Sequence, residues 1–109
     1  MEINIRSVGA YQVIALKGEL GLYGVPEASR WMETALTTPG NDVALDLAGL
    51  EFIDSSGIAA IVHWRKQVAD GGGRFALLAV PENLRRVLEL SRLHQRIKFL
   101  DSELELSES

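Results

Sequence analysis

The chain has 109 residues, is 47% hydrophobic and 24% charged, and carries a formal net charge of −4. That is enough apolar material for one cored domain and leaves no room for two, and the balance excludes a disordered chain. With no cysteine, disulfides, cysteine-ligated zinc and thiol catalysis are excluded as well. The start, Met1 to Arg6, lacks the basic and apolar runs of a signal peptide, and no apolar stretch nears the roughly 20 residues needed to cross a bilayer. The acidic balance speaks against nucleic acid, and the basic residues read as scattered apart from Arg85-Arg86. Together these features suggest a cytoplasmic protein without direct membrane insertion.

In chain order, Glu2 to Ser7 alternates polar and apolar residues as a half-buried strand does, Val8-Gly9-Ala10 turns, and Tyr11 to Leu16 is a second strand, closing a hairpin. Gly18 to Gly24 reads as a glycine-rich loop. Pro26 suits the first position of a helix whose stripe is Ala28, Met32, Ala35 and Leu36, stopped by Thr38-Pro39-Gly40-Asn41. Val43 to Leu47 has the near-continuous apolarity of a strand covered on both faces. A short loop follows, then a helix from about Ser56 to Ala69 on Ile58, Ile61, Val62 and Val68, ended by Asp70-Gly71-Gly72-Gly73 with a left-handed glycine. Arg74 to Val80 is a strand, Pro81 opens a third helix facing inward through Leu84, Val87 and Leu88, and Ile97 to Leu100 is a last strand. The acidic end, Asp101 to Ser109, is expected to form a short helix or to fray. The order β-β-α-β-α-β-α-β implies an α/β fold with a mixed, mostly parallel sheet, an antiparallel N-terminal hairpin and packed helices.

Chemistry concentrates in Leu45 to Ile58, and within it in Phe52-Ile53-Asp54-Ser55-Ser56-Gly57-Ile58. Asp54, Ser55 and Ser56 are all strong helix N-caps, a helix N-terminus favours an anion, and Gly57, without a Cβ, lets another chain approach closely. A serine hydrolase would need a base and an orienting acid near the nucleophile. The chain has two histidines, His63 falls on the outer face of its helix, and the Gly-x-Ser-x-Gly elbow is absent. Gly71-Gly72-Gly73 follows a helix and lacks a phosphate-loop pattern, and two histidines without cysteine make a poor metal site. The residues therefore suggest a non-enzyme that needs no cofactor or metal. Trp31 and Trp64 flank their helix stripes as half-buried packing or as partner anchors; Leu22 and Tyr23 are better placed for exposed contacts.

This segment resembles the STAS family, and within it the bacterial anti-sigma factor antagonists, whose signature is Asp-Ser-Ser/Thr-Gly-Leu/Ile entering a helix. Leu16-Lys17-Gly18-Glu19-Leu20, Gly72-Gly73-Arg74-Phe75, Val80 to Leu88 and Leu90-Ser91-Arg92-Leu93 are similar to flanking family segments, so the resemblance spans nearly the whole chain as a single STAS domain, residues 1–109. It implies that Ser55 is a phosphoacceptor, with Ser56 as the second choice, and that Glu19, Leu20, Gly21, Leu22, Tyr23, Asp54, Ser56 and Gly57 form the partner-binding surface. The implied partners are an anti-sigma factor that is also a serine kinase of ATPase-type fold, sequestered by the unmodified protein and released on phosphorylation, and a PP2C-type phosphatase. STAS domains also act in stress-signalling scaffolds and as accessory subunits of lipid-transport ABC systems, and a sensor binding a nucleotide or lipid in a surface cleft is a further reading. The chain departs from the antagonists at Gly21, where an aspartate is usual, and at Ser91-Arg92, where the family has Ser-Gly; its C-terminal helix is also shorter and more acidic.

Overall fold

The computed structural model describes residues 1–36 and 40–107. Strands β1 (Glu2–Val8) and β2 (Tyr11–Leu20) form the expected antiparallel hairpin, in register from Glu2 opposite Lys17 to Val8 opposite Tyr11. Helix α1 (Gly24–Leu36) leads to β3 (Asp42–Asp46) and β4 (Leu50–Ile53); α2 (Ser55–Asp70), β5 (Phe75–Leu78), α3 (Glu82–Leu90), a single 3-10 turn at Leu93–Gln95, β6 (Lys98–Leu100) and α4 (Glu103–Ser107) complete the chain. The six-stranded sheet runs β1-β2-β3-β5-β6, parallel after the hairpin, with β4 pairing on β2. The mixed α/β architecture is the expected one.

The period-two alternation of strands explains both layers. Ile14, Leu16, Val43, Leu45 and Leu77 face α1, α2 and α3, meeting Ala28, Met32, Ile61, Trp64, Leu84 and Leu88. Tyr11, Val13, Ala44, Ala76, Leu78 and Leu100 face the other way and are closed over by Leu106 of α4. Burial on both sides is why Val43-Ala44-Leu45 is apolar without interruption. Arg6 of β1 ties the second layer down, reaching Asp46 at 3.0 Å and Glu103 of α4. The acidic C-terminus is thus an ordered helix through Ser107 and part of the core. Among the described residues, no helix is long and apolar enough to cross a membrane.

Several elements differ from the expectation. The segment read as a loop before α2 contains β4, and the loop read from Gly18 to Gly24 is strand as far as Leu20. The two go together: beyond Ala15 the end of β2 leaves β3 and pairs with β4, Gly18 with Leu50, Glu19 with Phe52 and Leu20 with Ile53, with a register shift between Gly18 and Glu19 that leaves Glu51 as the extra residue. Helix α1 begins two residues before Pro26, which still lies in the first turn, where a missing N–H costs nothing. Its expected stop at Thr38-Pro39 lies outside the described residues. Trp64 is 2% exposed and so is core packing, while Trp31 is 46% exposed and His63 faces outward as expected. The left-handed glycine after α2 is Gly72, at φ +89°; Gly71 remains right-handed.

Arg92 adopts the left-handed conformation, φ 60° and ψ 23°. A side chain in this region costs roughly 1–2 kcal/mol, more than the unfolded-state entropy that a glycine adds. Arg92→Gly should therefore stabilise the fold by about 0.5–1 kcal/mol, read as a higher urea midpoint; an unchanged or lower midpoint would refute the strain. Asp42, at the start of β3, accepts hydrogen bonds from Arg74 Nη2 at 2.8 Å, Nε at 3.2 Å and the backbone N–H at 2.7 Å. The Arg74 guanidinium above all holds the Asp42 carboxyl below its ordinary value, against the opposing effect of burial. Because the folded value is the lower one, the stabilisation is present above the unfolded-state value near 3.8 and is lost as pH falls through the folded value. Urea midpoints taken from about pH 5 downward should decline less steeply in Asp42→Asn than in wild type; parallel declines would remove the pair from the acid response.

Candidate functional site

The site is built where β2 and β4 end and α2 begins. Asp54, extended at φ −117° and ψ −171°, is the N-cap of α2: its Oδ1 accepts from the N–H of Ser56 at 2.8 Å and of Gly57 at 3.1 Å. Its own N–H donates to the Leu20 carbonyl at 3.4 Å, tying the cap to the end of β2. Helix α2 therefore starts one residue earlier than expected, and Ser55, its first residue, is solvent-exposed. Ser56 is partly covered. With the Ser56 and Gly57 amides already taken by Asp54, an added anion cannot draw on the whole helix terminus, as a bare N-terminus would allow.

Gly57 sits against strand backbone. A Cβ there would collide with the Leu20 carbonyl oxygen and lie 2.7 Å from Ile53 Cγ1. The close approach predicted for Gly57 is thus made by the protein's own β2, and Gly57 is buried. Leu20, expected among the partner-binding residues, is fully buried too, because β2 continues through it and its alternation puts Leu20 on the same face as Ile14 and Leu16. Leu20 and Gly57 shape the site from within and offer no side chain to a partner.

The remaining residues converge. Glu19, Gly21, Leu22, Tyr23, Phe52 and Asp54 line an open cleft of about 270 Å³. Leu22 is 66% exposed, Tyr23 90% and Phe52 46%. Two carboxylates and no cation line this cleft among the described residues, so it is apolar with an acidic edge. Gly21 is in contact with the cap: a Cβ there would stand 2.7 Å from Asp54 Oδ2 and 3.3 Å from Phe52 Cε2. A glycine at this position leaves room for the Asp54 carboxylate and places no further charge at its side. Phe52 is a cleft-lining residue absent from the expected surface. Its signal was present in Leu50-Glu51-Phe52-Ile53, where the ends are buried and the middle pair exposed, leaving an aromatic on the surface beside the motif.

The expectation that basic residues are scattered is corrected at the opposite end of the sheet, where Arg65, Arg74, Arg96 and Lys98 line one cleft. Among the described residues, no group of three or more His, Cys, Asp or Glu side chains is disposed to hold a metal ion.

The sequence model of a family described as "Mlab, STAS domain" matches residues 3–104. The chain belongs to the STAS family. A Thermotoga maritima protein, named provisionally as an anti-sigma factor antagonist, is 32% identical to this STAS domain over 85 residues, 77% of this chain and 75% of the relative. A crystal structure of a T. maritima protein with the same provisional name superposes with a TM-score of 0.89 at 28% identity, covering 97% of this chain and 92% of that one. The Bacillus cell fate determinant SpoIIAA in its phosphorylated form shares the fold at a TM-score of 0.74 and 23% identity, covering 98% of each chain.

Proposed function

We propose that this STAS domain is an anti-sigma factor antagonist whose grip on its partner is set by phosphorylation of Ser55. The observation that carries this reading is an exposed hydroxyl on the first residue of α2, immediately after the capping Asp54 that lines the cleft. Unmodified, the surface offers Leu22, Tyr23 and Phe52 as apolar anchors and Glu19 and Asp54 as hydrogen-bond acceptors. A partner with apolar and basic groups fits it. Phosphorylation adds about −1.5 to −2 charges at one edge of this surface. The helix amides that would neutralise that charge are engaged by Asp54, so the new phosphate meets like charge in any closed interface. The change is local and leaves the fold standing. In this reading the partner is an anti-sigma factor that is also an ATP-dependent serine kinase, and a PP2C-type phosphatase resets the switch. The domain itself performs no catalysis.

The test is intact-mass analysis after incubation with the cognate anti-sigma factor, ATP and Mg²⁺. Wild type should gain the mass of one phosphate and Ser55→Ala none; an undiminished gain in Ser55→Ala moves the acceptor to Ser56 or elsewhere. A second reading, an accessory subunit of the kind STAS domains supply to lipid-transport ABC systems, is favoured by the match to the "Mlab, STAS domain" family. Recovery of a membrane-associated ATPase, with no sigma-regulating kinase, in a pull-down that Leu22→Ala/Tyr23→Ala abolishes would establish it instead.

A further inference from the structure

Strands β2, β3, β5 and β6 all begin at the end of the sheet remote from Ser55. There Arg65, Arg74, Arg96 and Lys98, with Tyr11 and Phe75, line a cleft of about 330 Å³. Ten residues of α2 separate Ser55 from Arg65, about 15 Å along the helix, so this is a different surface from the one discussed above. In a chain of net charge −4, four cations gathered on one concavity run against the overall balance. No Asp or Glu is among the described residues lining it. Neither Arg96 nor Lys98 has an ion-pair partner among the described residues.

Two of the guanidinium groups are held in place by contacts that leave donors over. Asp42 engages Nε and Nη2 of Arg74, and the same guanidinium lies 5.0 Å from the centre of the Tyr11 ring, so its orientation is set while Nη1 stays available. Arg65 donates Nε–H to the Arg96 carbonyl at 3.1 Å, which positions its two terminal nitrogens. Oriented guanidinium forks match the oxygen geometry of phosphate, and a lysine adds a mobile point charge. The volume is at the small end of ligand sites, which run from about 300 to 1,000 Å³. We infer that this cleft binds a small phosphate-bearing anion with two or more phosphate charges, independently of Ser55.

The experiment is a ¹H–¹⁵N titration of the full chain with inorganic pyrophosphate at low salt, where surface charge is least screened. Saturable shifts should be confined to the cleft lining, Tyr11, Arg65, Ala69, Gly73 to Phe75 and residues 96–98, with Ser55 to Gly57 unmoved. Arg96→Ala/Lys98→Ala alters two exposed, unpaired side chains and keeps the Arg96 carbonyl that holds Arg65. Its spectrum should stay dispersed while affinity falls about tenfold or more, as expected for loss of charge-assisted contacts. Parallel titrations with ATP and adenosine identify the source of the phosphate. Tighter binding of ATP than of pyrophosphate, with adenosine silent, indicates a nucleotide; equal binding indicates a free polyphosphate. Shifts that never saturate, shifts spread over every basic residue, or unchanged affinity in the double variant would overturn the site. A glutamate-rich peptide that binds there while pyrophosphate does not would overturn it equally.

Discussion

Ser55→Asp should weaken binding to the cognate anti-sigma factor by about a hundredfold while leaving the urea midpoint within about 0.5 kcal/mol of wild type. The magnitude comes from placing one charge beside another in a surface that closes on binding. At an effective dielectric near 20 and a separation of roughly 6 Å, two like charges repel by about 3 kcal/mol. In the free protein the penalty nearly vanishes, because Ser55 is exposed and water screens the new carboxylate. The helix absorbs only part of the charge, since Asp54 Oδ1 already takes the Ser56 and Gly57 amides. Ser55→Ala should bind as well as wild type and resist release by ATP. Isothermal titration of the three proteins decides the matter: equal affinities for Ser55→Asp and wild type would remove Ser55 from control of the interface.

Gly57→Ala should cost the fold at least about 3 kcal/mol, a large effect for the addition of a single methyl group. The obstacle is the Leu20 carbonyl, backbone of a strand held by β3 on one stretch and by β4 on the next, so it cannot withdraw without breaking the sheet at its bulge. Ile53, 2.7 Å from the added carbon, is itself core. Relief would require α2 to move away from β2, which separates Ile61 and Trp64 from their neighbours and pulls the Asp54 cap off its strand. Chemical denaturation reads this directly as a lower urea midpoint. A midpoint within experimental error of wild type would mean that α2 and β2 are not in the close contact described.

Both expectations depend on how the motif is embedded, and the sequence conveys only part of that. Strand alternation, helical stripes and the Asp54-Ser55-Ser56-Gly57 segment are local patterns, and local geometry follows from them. They were enough for the mixed α/β architecture, the opening hairpin, the start of α2 to within one residue and the family resemblance. What they lack is pairing between distant segments. Four residues, Leu50 to Ile53, with two exposed positions in the middle, read as a loop until the end of β2, beyond its pairing with β3, presents an edge for them. Continuation of β2 through Leu20 puts it on the core face with Ile14 and Leu16, although in the chain it stands beside the exposed Leu22 and Tyr23. Leu106 lies in an acidic end that the sequence leaves open between a short helix and fraying; it becomes core because Tyr11, Val13, Ala44 and Ala76, from three strands, leave an apolar face that needs covering. Arg65, Arg74, Arg96 and Lys98 come from one helix, two loops and one strand, so their common cleft exists only once the parallel strands align their starting ends. Period and capping are properties of neighbouring residues and are written along the chain, whereas burial, pairing and charge clustering depend on which remote segments share a surface, and that is set when the sheet assembles.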